Sequence, residues 1–106
     1  MAETIDWPGT SGNTYRYWFV YSMENPSLKR VGGNYMFVAR NAAGWYPVYI
    51  GQTGDLSARL ANHPALPCVH RNKGTRLMAH ETPAGRSARL AEESDLVSYW
   101  IPPCNG

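Results

Sequence analysis

The strongest constraint on this chain is a pair of strand-like runs joined by a short reversal. Asn34-Tyr35-Met36-Phe37-Val38-Ala39 and Tyr46 to Gly51 are rich in aromatic and β-branched residues, with Asn41-Ala42-Ala43-Gly44 between them. Such runs favour extended backbone, and a short Asn/Gly-bounded link returns the chain antiparallel to itself. A β-hairpin is therefore predicted at the centre of the fold. Tyr35 and Tyr49 are an even number of residues apart, so in an unbulged register they share a face of the sheet. If Arg40 pairs with Gly44, the two rings are directly opposite. Aromatic pairs across a hairpin are ordinary sheet packing and carry no functional meaning alone.

The flanking segments supply the remaining elements. Residues 1–13 contain Pro8-Gly9 and Ser11-Gly12-Asn13, turn formers without periodicity, and predict a loose arm. Thr14 to Tyr21 reads as a strand with Tyr15, Tyr17, Phe19 and Tyr21 on one face. Glu24 to Ser27 turns the chain, and Gly32-Gly33 precedes the hairpin. Asp55 is a suitable N-cap for a short helix from Leu56 to His63, closed by Pro64, and Pro64 to Gly74 reads as a loop. Thr75 to His80 is a further strand. Thr82-Pro83 then opens a helix from about Ala84 to Tyr99, which Pro102-Pro103 forbids from continuing. This order predicts an α+β domain: a small antiparallel sheet of three core strands plus an extra N-terminal strand, flanked by helices. The divisions are an arm over 1–13, the extra strand and turn over 14–31, and the main domain over 32–106.

At 106 residues there is room for one modest core. No long uncharged apolar run and no leader-like segment follow Met1, which predicts a cytoplasmic protein without a membrane span. Cys68 and Cys104 are too few for a disulfide scaffold and are expected as reduced thiols. Zinc held by them with His63 and His70 would match no common spacing. The net charge of +2 does not announce a nucleic-acid partner, but base is concentrated after Leu28. Arg40, Arg71, Lys73, Arg76, Arg86 and Arg89 are candidate phosphate contacts, although a solvated surface would look similar.

In the last helix, at about 100° per residue, Leu90, Leu96, Val97 and Trp100 define an apolar arc with Glu93 in its middle. Glu92 and Asp95 are expected to face solvent. A carboxylate on the inner face needs a metal, an arginine or a proton; the ordinary alternative is an ion pair with Arg89 or Arg86. Arg59 and His63, four residues apart at the edge of the shorter helix, suit a phosphate. Their ordinary alternatives are a surface pair with Asp55 and a helix-terminal histidine.

Taken together these residues resemble the GIY-YIG nuclease family. Gly33-Asn34-Tyr35 stands for its first motif and Tyr49-Ile50-Gly51 for its second, with Arg59 ten residues after Tyr49 and His63 four further on. Glu93-Ser94-Asp95-Leu96-Val97 matches its E-x-x-L-[IV] pattern, and Pro102-Pro103-Cys104-Asn105 its terminal P-x-x-N element. Asn34 departs from the family isoleucine, a change that affects packing more than chemistry. The resemblance spans about Gly32 to Asn105 and implies an endonuclease that hydrolyses phosphodiester bonds in DNA. It further implies Tyr35, Tyr49, Arg59, His63, Glu93 and Asn105 as site residues, with one divalent cation, Mg2+ or Mn2+, on Glu93. Within that picture Tyr35 is the base, Arg59 clamps phosphate, His63 positions the nucleophile or relays a proton, and Asn105 ties down the C-terminus.

Two other classes are compatible with the same residues: a non-catalytic nucleic-acid-binding module on the same fold, and a protein-interaction domain using the N-terminal strand. No base-reading module is visible, so stringent targeting is expected from DNA structure, a homodimer or a partner protein.

Overall fold

The computed structural model describes residues 3–20, 28–58 and 63–106. Its elements are β1 (Thr4–Pro8), β2 (Thr14–Phe19), β3 (Gly33–Asn41), β4 (Gly44–Thr53), α1 (Leu66–Arg71), β5 (Arg76–Glu81) and α2 (Arg86–Trp100). The strands form one antiparallel sheet in the order β1-β2-β5-β3-β4. The α+β class and the antiparallel sheet are as the sequence predicts, but the sheet has five strands.

The additional strand is β1, inside the segment expected to be a loose arm. Pairing with β2 from Thr4↔Trp18 to Pro8↔Thr14 orders it. It is short and ends in proline, both tolerated at a sheet edge. Tyr15, Tyr17 and Phe19 do share one face, all packing in the same apolar cluster; Tyr21 and the expected turn from Glu24 to Ser27 lie outside the described residues.

The central hairpin forms with a different register. Asn41 pairs with Gly44 across a two-residue turn, where the Ala43 amide donates to Asn41 Oδ1 at 2.8 Å. Gly44 takes φ 120°, which favours glycine. With a bulge between Phe37 and Val38, Tyr35 pairs with Gly51, and Phe37 pairs with Tyr49. The two tyrosines are therefore diagonal neighbours rather than directly opposed, because the shorter turn and the bulge shift the ladder.

Flanked by β5 and β4, β3 is buried from Gly33 to Ala39 and divides the core into two layers. On one face Tyr35, Phe37, Val48, Leu56, Val69 and Leu77 pack together. On the other, Met36, Val38, Ile50, Met78, Tyr17 and Trp7 meet Leu96 of α2.

The expected helix from Leu56 to His63 is not helical at its described ends. Asp55 stands at its start, with Oδ1 accepting the Ser57 amide at 2.9 Å, but the bond closes only a turn. Leu60 and the other residues from 59 to 62, Arg59 included, lie outside the described residues. A helix occurs instead at Leu66–Arg71, in the stretch expected to be a loop, with Pro67 in its first turn, where a missing N–H costs little. α2 starts at Arg86, behind Gly85 as N-cap. No helix among the described residues is long and apolar enough to cross a membrane.

Cys68 and Cys104 form a disulfide, which corrects the expectation of reduced thiols. The fold brings α1 and the tail beyond α2 to a Cα–Cα separation of 5.9 Å, although they are 36 residues apart in sequence. The cytoplasmic expectation loses the support it drew from free cysteines.

Candidate active site

Tyr35, Tyr49 and His63 meet on one face of the sheet. The Tyr35 hydroxyl and His63 Nε2 are 2.6 Å apart. The His63 ring centroid lies 5.0 Å from that of Tyr49 and 5.5 Å from that of Tyr35. His63 Nδ1 accepts the Ala65 amide at 3.0 Å, so in the neutral ring the proton sits on Nε2. Nε2–H then donates to the Tyr35 oxygen, leaving the phenolic O–H free to donate elsewhere. Burial holds the imidazole below its ordinary range, which favours this neutral form.

Both motif glycines are required by close approach. A Cβ on Gly51 would lie 2.6 Å from Tyr35 Cζ and hydroxyl and 3.0 Å from Tyr49 Cε2. One on Gly33 would meet the His80 carbonyl oxygen and Leu56 Cδ1. The Tyr35 phenol is held well above its ordinary range, first by burial and then by Tyr49 and the Glu93 carboxylate. Tyr49 is raised by burial and by Glu93. Glu93 therefore acts electrostatically on both rings.

Glu93 is half-buried on α2, and burial raises its carboxyl above the usual range. Neither Arg89 nor Arg86 pairs with it among the described residues. Arg89 Nε instead donates to Gln52 Oε1 at 3.1 Å, and a Cβ on Gly32 would meet its guanidinium at 2.5 Å. Asn34 ties the sheet to this helix, with Nδ2 donating to the Arg89 carbonyl at 2.9 Å, while its buried Oδ1 has no partner among the described residues. Asn34 thus adds a polar contact between β3 and α2.

Asn105 forms a reciprocal pair with the Ile50 backbone: Oδ1 accepts the amide at 2.8 Å and Nδ2 donates to the carbonyl at 2.7 Å. With the Cys104 amide on the Val48 carbonyl at 3.0 Å, the tail lies along β4 beside the second motif. Asn105 thus ties down the tail, and both functional ends of its amide are engaged in doing so.

The six candidate phosphate contacts do not gather into one patch. Arg86 and Arg89 lie in the first turns of α2. At the other end of the sheet, the Arg40 guanidinium sits 5.6 Å from the Trp45 ring centroid and that of Arg76 4.6 Å from Phe19. Arg71 and Lys73 are exposed at and just beyond the end of α1.

Two carboxylates depart from their expected solvent positions. Glu92 is only 5% exposed and is bound by Tyr17 and Thr82. Asp95 accepts from the Ser11 amide at 2.8 Å and from the Tyr15 hydroxyl at 2.8 Å. Leu90, placed on the inner arc by the apolar pattern, is 37% exposed. Partners on β2, just before it and just beyond β5 draw these polar residues inward, and they lie too far off in sequence for helical periodicity to reveal.

Among the described residues no group of three or more His, Cys, Asp or Glu side chains is arranged to hold a metal. A half-buried carboxylate that pairs with no cation among the described residues still suits Mg2+, which keeps several waters and commonly takes one or two protein carboxylates plus substrate phosphate. No family model, curated protein or solved structure matches this chain.

Proposed function

We propose that this protein is a metal-dependent endonuclease of GIY-YIG type that hydrolyses phosphodiester bonds in DNA. The observation that carries the reading is the Tyr35–His63 hydrogen bond within the cluster of three rings formed by Tyr35, Tyr49 and His63. Those residues come from separate segments whose spacing already resembles the family.

Glu93 is the residue that would hold the cation. A divalent ion supplies stabilisation of negative charge on the phosphate and on the departing oxygen. Tyr35 would act as its phenolate, its own proton first released to bulk water, and the phenolate oxygen would then take the proton of the attacking water as phenol re-forms. His63 Nε2–H donates to the Tyr35 oxygen and lowers the cost of its phenolate, offsetting part of the effect of burial. Neutralising the Glu93 charge removes another of the contributions that hold the phenol up. Tyr49 packs beside both rings and limits their motion. Arg59 keeps its role as phosphate clamp from the sequence resemblance alone.

A non-catalytic nucleic-acid-binding module is the second reading, and the elevated Tyr35 phenol favours it. Supercoiled plasmid incubated with the protein, with Mg2+ or with chelator, separates the two. Relaxed or linear product that needs Mg2+ and is absent with Glu93→Gln supports the nuclease. DNA binding without cleavage by the wild-type protein in either Mg2+ or Mn2+ would sink it.

A further inference from the structure

Glu92 is the only buried carboxylate among the described residues. Its Oε2 accepts from the Tyr17 hydroxyl at 2.7 Å, and its Oε1 accepts from the Thr82 hydroxyl at 3.3 Å and faces His80 Nε2 at 3.5 Å. His80 Nδ1 lies 2.6 Å from the Arg16 carbonyl oxygen, which can only accept, so that nitrogen carries a proton. The His80 ring also stacks on Tyr17 with centroids 5.3 Å apart. β2, β5 and the turn after β5 thus converge on one residue of α2. Burying a carboxylate is costly, and one attested return is that its partners fix a single packing register.

Register matters here because adjacent helical residues point about 100° apart. Glu92 and Leu96, one turn apart, are the two buried residues of α2, so together they define its inner face. Glu93, the next residue, is then held about 100° round the helix from Glu92, in a half-buried position. β2 grips the helix at a second point, because Tyr15, two residues before Tyr17, donates to Asp95 Oδ2 at 2.8 Å. The bond from Asn34 to the Arg89 carbonyl seats the preceding turn.

We propose that Glu92 is a positioning residue: anchored by Tyr17 and Thr82 beside His80, it fixes the rotation of α2 and thereby the place of Glu93. This rests on Glu93 being the metal-binding carboxylate. The N-terminal β1–β2 hairpin, outside the segment that resembles the nuclease family, then has a role in the site as the scaffold that holds this helix.

Wild type, Glu92→Ala, Glu92→Gln and Glu93→Gln are compared by three readouts: exchange of the Asn34 carboxamide protons, Mn2+-induced broadening of the Tyr35 and Tyr49 ring signals, and plasmid cleavage. Glu92→Ala is expected to speed the exchange and abolish the broadening. It should also lower kcat by about tenfold or more with little change in KM, the size typical of losing a group that orients a metal ligand. Glu92→Gln keeps an acceptor for Tyr17 and a polar group beside Thr82 and His80, so it should restore all three to within about threefold. Glu93→Gln should lose broadening and cleavage while keeping slow exchange. Tyr17→Phe gives the same direction at smaller size and serves if Glu92→Ala does not fold. Wild-type exchange in Glu92→Ala or Tyr17→Phe, or altered exchange with unchanged broadening, overturns the proposal. A wild-type protein that neither binds Mn2+ nor cuts DNA, while its exchange still responds to Glu92→Ala, defeats the nuclease reading and leaves the anchoring of α2 supported.

Discussion

Reducing the Cys68–Cys104 disulfide should cost about 4 kcal/mol of folding stability. The bond closes a loop of 36 residues, and the chain-entropy relation for a loop of that length gives roughly 3.8 kcal/mol at 25 °C. For a domain of this size that corresponds to a fall in melting temperature of roughly 15–25 °C. The loop contains β5 and α2, so the unfolded state regains freedom over about a third of the chain while the native hydrogen bonds are initially untouched. The assay is urea unfolding at neutral pH with and without a phosphine reductant, with a count of titratable thiols in each sample. The Cys68→Ser/Cys104→Ser double variant should lose all sensitivity to reductant. Release is also expected to be local before it is global: the Ile50 amide, held by Asn105, should exchange faster in the reduced protein. Two free thiols accompanied by a stability change below about 1 kcal/mol would refute the reasoning, because the disulfide would then constrain nothing the fold does not already hold.

Tyr35→Phe removes one hydroxyl and its bond to His63, so cleavage should fall by about 100-fold or more while stability changes by only about 1 kcal/mol; unchanged turnover in plasmid assays excludes Tyr35 as the base. Gly51→Ala places a methyl 2.6 Å from Tyr35 and should destabilise by about 1–3 kcal/mol, with displaced Tyr35 and Tyr49 ring resonances; a silent substitution argues against the ring packing. His63 should titrate below 6.5, because burial disfavours its charged form. The folded protein then binds fewer protons there than the unfolded chain, so this stability is fully present above 6.5 and is lost as the pH falls through the lowered value. A Cε1–H resonance with a midpoint at or above 6.5 contradicts it.

The strands and the grouping of site residues were more legible in the sequence than the ties between distant segments. Tyr15, Tyr17 and Phe19 show their shared face through period two, and the second helix shows its extent through its turn and proline boundaries. Tyr35, Tyr49 and His63, candidates chosen by spacing, do meet in the structure, a proximity between distant segments that periodicity alone does not reveal. Glu92 was hidden because an apolar pattern cannot mark a face that is buried through hydrogen bonds to Tyr17, Thr82 and His80. β1 was hidden because Pro8 and the charge on Asp6 suppress its strand signal, and pairing with β2 supplies what propensity lacks. α1 was obscured by Pro67, which breaks a helix interior but is well placed in a first turn.

The reciprocal pairing of Asn105 with Ile50 also bears on how two copies of this chain could meet. β4 and β1 are the outer strands of the sheet, and outer strands offer unpaired backbone groups to any chain that arrives. On β4, Ile50 and Val48 are already engaged by the tail. A second molecule extending the sheet there would have to displace Asn105 beside the tyrosine cluster. On β1 the Pro8 carbonyl accepts from Trp100 Nε1 at 3.0 Å, so each outer strand already has a backbone group engaged by a side chain from the C-terminal end of the chain, and an arriving strand at either edge would have to displace it.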